Sequence, residues 1–94
     1  MDSIYSTLFG LMLGDNNRNE VIGRDTVGDY TIDTCYTIDQ GLETAVWKGS
    51  NTMIIVDRYA SKEDAQKGHE NWREICKLNP STAWSVQMEC YENF

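Results

Sequence analysis

The chain is predicted to be α+β, with a mainly antiparallel sheet of about four strands and one amphipathic helix, about residues 62–77, packed on one face. Three observations predict this. Residues 29–39, DYTIDTCYTID, alternate with the period of a strand. LETAVWK (42–48) and TMIIVDRY (52–59) flank Gly49-Ser50-Asn51 in the manner of a hairpin. Behind them Ala65, His69, Trp72 and Cys76 recur at helical spacing. Ninety-four residues make a single small domain, which buries roughly 60–65% of its extended surface and so has a limited core.

In chain order, residues 3–13 (SIYSTLFGLML) form an apolar N-terminal helical segment. Ile4, Leu8, Leu11 and Met12 share one side, with Tyr5, Phe9 and Leu13 beside them. Such a surface docks onto its own sheet or onto another chain, including a second copy. Asp2, Asp15 and Glu20 surround it, and the missing basic flank argues against a membrane role. DNNRN (15–19) is a loop and Val21-Ile22-Gly23 a short strand. In the strand that follows, Tyr30, Ile32, Tyr36 and Ile38 share one side with Thr34, opposite Asp29, Thr31, Asp33, Cys35, Thr37 and Asp39. Gln40-Gly41 turns the chain. Met53-Ile54-Ile55-Val56 is apolar on both faces, which places its strand centrally.

Ser61 is the helix N-cap, with Asp64 completing an approximate capping box. Asn79-Pro80 stops the helix. Ala83–Tyr91 alternates as a last strand, with Trp84, Val86, Met88 and Cys90 facing in and Ser85, Gln87, Glu89 and Tyr91 facing out.

Eight basic and fifteen acidic residues give a net charge of −7. That balance argues against direct nucleic-acid binding, where cations must neutralise phosphates. Three cysteines without a CxxC pair read as free thiols in a reducing compartment. Met1-Asp2-Ser3 lacks the basic region of a signal peptide, and no apolar run is long enough to cross a bilayer.

His69 is the one histidine. His69-Glu70-Asn71-Trp72-Arg73 begins like the zinc-protease HExxH, but Arg73 stands where the second ligand belongs, so no metal site is expected. Cys76 lies about 10 Å along the same helix face, beyond the reach of a Cys–His pair. The glycines of Gly23–Gly28 lack the Lys-Ser/Thr of a phosphate loop. His69 is therefore read as a packing and hydrogen-bonding residue, with no catalytic group and no cofactor. The candidate contact residues are the acidic series Asp25, Asp29, Asp33, Asp39 and Glu43, together with Trp47, Phe9 and Leu13. An ordinary solvated strand face is the plainer reading of the acids, and a core position the plainer reading of Trp47.

ETAVWKG (43–49) followed by VDRYASKEDAQKGHENW (56–72) resembles small uncharacterised proteins of tailed bacteriophages and prophages of Gram-positive bacteria. The resemblance covers roughly residues 29–77. Its last pattern is met here by Ser61, Ala65, Gly68, His69 and Trp72. It implies a product of the bacterial host cytoplasm, or of the virion, without settled catalytic residues. The expectation is a non-catalytic protein working through protein–protein contact, as a virion or assembly component bound to a phage structural protein. The alternative is an acidic inhibitor of a basic host defence protein, of the anti-CRISPR or another anti-defence kind. A small enzyme is the third. Small Ala65 and Gly68 would also let the helix lie close to the sheet.

Overall fold

The computed structural model describes residues 20–94. Strands β1 (Glu20–Val27), β2 (Tyr30–Thr37), β3 (Gly41–Lys48) and β4 (Ile54–Tyr59) form one sheet in the order β1-β2-β3-β4. Every neighbouring pair is antiparallel. Helix α1 (Lys62–Cys76) packs across one face, and β5 (Thr82–Ser85) pairs with β6 (Cys90–Asn93) in a separate two-stranded sheet. The fold is therefore α+β, with a four-stranded antiparallel sheet and one helix upon it. The N-terminal segment, with Phe9 and Leu13, lies outside the described residues.

The β1–β2 connection is tight because Gly28 takes φ 58°, a left-handed conformation that costs glycine little. On the helix face Tyr30, Ile32, Val46, Ile54 and Val56 pack with Cys76 and Ala83, and Trp72, Val27 and Phe94 close the margins. On the opposite face Cys35, Ala45, Trp47 and Ile55 pack together, flanked by Met53 and Val86. Ser61 caps α1 as expected, its Oγ accepting the Asp64 amide at 3.1 Å. The helix ends at Cys76, and Asn79 takes φ 56° beyond it. The Tyr30 hydroxyl meets Asn79 Oδ1 at 3.2 Å and donates to the Pro80 carbonyl, which fixes the exit of the helix over the sheet.

Four sequence expectations are corrected. The first strand is not Val21–Gly23 but eight residues long, with a register shift between Val21 and Gly23. The strand expected to be central, β4, lies at one edge of its sheet. It is apolar on both sides because Ile54 and Val56 face the helix while Ile55 packs with Trp47 and Val86. The Val86 amide also donates to the Ile55 carbonyl at 2.9 Å.

The last strand is broken into a hairpin. Ser85 Oγ accepts the Met88 amide at 2.9 Å and the Ser85 carbonyl accepts the Glu89 amide at 2.8 Å. Glu89 then reverses the chain at φ 57°. Trp84, Met88 and Cys90, expected to face in, are exposed, while Ala83 and Ser85 are buried. Finally, the two sides of 29–39 are not apolar and solvated respectively. Tyr36 and Ile38 are exposed, whereas Asp33, Cys35 and Thr37 are buried.

Cys35 and Cys76 are buried free thiols and Cys90 an exposed one. No helix among the described residues is long and apolar enough to cross a membrane.

Candidate functional site: a buried histidine relay

The helix stripe brings His69 down onto β1 and β2. Gly23 makes room for it, since a Cβ there would stand 2.9 Å from the ring atoms Cδ2 and Nε2. The imidazole is 4% exposed and both its nitrogens are engaged. Nε2 lies 2.7 Å from Asp25 Oδ2, and Nδ1 lies 2.7 Å from Thr34 Oγ1. Thr34 Oγ1 is 2.6 Å from Thr44 Oγ1, which is 2.9 Å from the Tyr59 hydroxyl. One line of hydrogen bonds thus runs from β1 through α1 to β2, β3 and β4.

Donor and acceptor capacities fix the direction of this line for each state of the ring. With a neutral imidazole, Tyr59 donates to Thr44, Thr44 to Thr34 and Thr34 to Nδ1, while Nε2–H donates to the Asp25 carboxylate. With an imidazolium, Nδ1–H donates to Thr34, the two threonines turn round, and the Tyr59 hydroxyl donates outward from its half-buried position. All four bonds survive in both states. Burial pushes the Tyr59 hydroxyl up to about 12, so it stays protonated throughout.

Carboxylate, imidazole and hydroxyl in this order are the components of a hydrolase triad. The arrangement does not work as one, because Thr34 is fully buried and its Oγ1 is held by both Thr44 and His69. A nucleophile needs a substrate carbonyl beside it. The line is a polar clamp that seats the helix. A groove of about 430 Å³ lies elsewhere, between the β1–β2 turn and the end of α1, lined by Val27–Tyr30, Cys76, Lys77 and Asn79. Burial pushes the Cys76 thiol there up to about 11, so it carries no thiolate at neutral pH. No group of three or more His, Cys, Asp or Glu side chains able to hold a metal ion occurs among the described residues.

The predicted contact residues do not form one surface. Asp33 is fully buried on the face away from the helix, its Oδ2 accepting Arg24 Nη2 at 2.8 Å. Glu43 is buried and accepts Arg58 Nε at 2.8 Å. Trp47 is buried in the second core cluster. Asp25 is held by His69, with Arg73 Nε 3.9 Å away. Asp29 and Asp39 are exposed, beyond opposite ends of β2. The reason is register. Arg24 stands directly across from Asp33, and Arg58 directly across from Glu43, so each carboxylate is neutralised by its cross-strand neighbour and goes inside. The first pairing was legible, because Arg24 and Asp33 are equidistant from the Gly28-Asp29 turn. The Gly23–His69 contact carried no comparable signal.

Asp33 Oδ1 has no hydrogen-bond partner, and burial raises its carboxyl above the ordinary value although Arg24 opposes the shift. A raised native pKa means that the folded state holds its proton more tightly than the unfolded chain. Stability from this group is complete below the unfolded value, near 4, and is lost as pH rises through the folded one. Asp33→Asn does not titrate. Its stability relative to wild type is therefore expected to rise as the pH climbs from about 4 toward neutrality. Urea denaturation of both proteins across that range checks this, and a constant difference would refute it.

Comparison with protein-family models, curated proteins and solved structures finds no match to this chain. Fold and site together define a small sheet-and-helix domain clamped by a buried histidine relay.

Proposed function

We propose that this chain acts through protein–protein contact rather than catalysis, as a phage-type protein associated with the virion or its assembly. The observation that carries the reading is the distribution of side chains between interior and surface. His69, Thr34 and Thr44 are enclosed and hydrogen-bonded along one line, whereas Trp84, Met88 and Tyr91 stand 46%, 63% and 71% exposed together on the C-terminal hairpin. Large aromatic groups held on a rigid element are contact anchors.

The test is capture with a tagged copy from phage-infected cells, with the complex sized by light scattering. Recovery of capsid, portal or tail proteins at a defined mass is the expected result. Recovery of one basic host effector, released by salt as acidic contacts are, would replace assembly by inhibition. A lone monomer that captures nothing would overturn the contact reading itself.

A further inference from the structure

The hairpin has chemistry that narrows what it contacts. Trp84 and Tyr91 are cross-strand partners with ring centroids 5.1 Å apart at 79°, so each braces the other edge to face. Both point away from the side where Ala83 and Ser85 are buried, and Met88 extends the patch at the tip. The bracing holds the rings out at little cost in side-chain freedom.

Charge is the second observation. The charged side chains of residues 78–94 are Glu89 at the turn and Glu92, which stands across from Ala83 on the other side of the hairpin from the rings, with no Lys or Arg among them. Elsewhere in the described residues each cation is already engaged within the chain. Arg24 pairs with Asp33, Arg58 with Glu43, Lys62 with Glu20, Lys67 with Glu63, Arg73 with Glu70 and Lys77 with Glu74. Lys48 lies over the Tyr30 ring. A second copy, also at −7, meets this acidic hairpin with like net charge. The third observation is the edge, since β6 pairs with β5 alone among the described residues.

We infer that this face docks an extended, arginine-bearing segment of a partner protein. Guanidinium groups stack on the exposed rings of Trp84 and Tyr91, and Glu89 at the hairpin turn supplies the counter-charge, as arginine does better than lysine. The segment's backbone runs along the open edge of β6. This rests on the contact function proposed above and names the surface and partner chemistry for it.

The experiment is an amide-resolved NMR titration of the full chain with a twelve-residue peptide alternating arginine and leucine, and with its lysine counterpart. Shifts at the Trp84 indole N–H and the amides of 88–93 are expected, with the arginine peptide binding severalfold tighter. The double variant Trp84→Ser/Tyr91→Ser replaces exposed side chains, and its unchanged spectrum elsewhere reports an intact fold. It is expected to weaken binding at least about tenfold. Glu89→Gln is expected to weaken it less and to flatten its salt dependence, whereas Glu92→Gln, on the other side of the hairpin, is expected to change it little.

Shifts centred instead on Glu63, Glu70 and Glu74 of the helix, or full affinity in the Trp84/Tyr91 variant, would overturn the inference. So would a wild-type dimer dissolved by that variant, which would give the face to a second copy. In the capture experiment, a partner retained equally by wild type and double variant removes this surface and leaves the contact function standing. A wild type that captures nothing removes the function, while the titration still decides the surface.

Discussion

Gly68→Ala is expected to destabilise the domain by about 1–2 kcal/mol, opposite in sign to what helix propensity alone dictates. In an exposed helix interior the exchange stabilises by about 1 kcal/mol, because glycine loses the most backbone freedom on folding. Here a methyl group would overlap Cε1, Cζ and the hydroxyl of Tyr59. Tyr59 cannot step aside freely, since its hydroxyl is tied to Thr44 and thereby to Thr34. Helix and sheet must separate, or the relay must break. Overpacking of this kind costs typically 1–3 kcal/mol, which the local gain only partly offsets. Urea denaturation measures the effect, and the cost of Gly68→Ala should largely vanish when it is made in a Tyr59→Ala background, which lacks the ring. A Gly68→Ala protein as stable as wild type would mean that the helix does not approach this closely.

That contact shows how far the chain could be read without its structure. Gly68 and Ala65 announce a close approach by their size, and Ala65 is indeed fully buried. The helix, its serine cap and the two central hairpins follow from periodicity and turn chemistry, which are local. What failed was not local. Residues 83–91 alternate well enough for a strand, but Ser85 caps a turn inside them through bonds that a two-residue period cannot report. The acids of 29–43 look solvated until β1 supplies Arg24 across from Asp33 and β4 supplies Arg58 across from Glu43. Once those pairings exist, burial of the carboxylates on the face away from the helix no longer isolates a charge. The candidate surface thus moved from an acidic strand to an aromatic hairpin, through sheet register and one concealed turn.

His69→Ala is expected to cost about 3–4 kcal/mol. The ring fills the space above Gly23, and its removal leaves a cavity between α1 and β1. It also strands the Thr34 hydroxyl, which then has Thr44 alone as partner. A buried polar group left short of a partner costs about 1–3 kcal/mol. The two contributions separate by double-mutant cycles. Thr34→Val removes the hydroxyl while keeping its shape, so its coupling to His69→Ala measures the hydrogen bond. Gly23→Ala forces a Cβ against the ring in wild type, so its cost should largely vanish once the ring is gone. If His69 holds the helix as a clamp, both couplings are large, and circular dichroism finds the helix of the single variant loosened well below the wild-type unfolding temperature. A His69→Ala protein within about 1 kcal/mol of wild type, uncoupled to Gly23 and Thr34, would mean that the apolar cluster of Tyr30, Ile32, Val46, Ile54 and Val56 seats the helix without it.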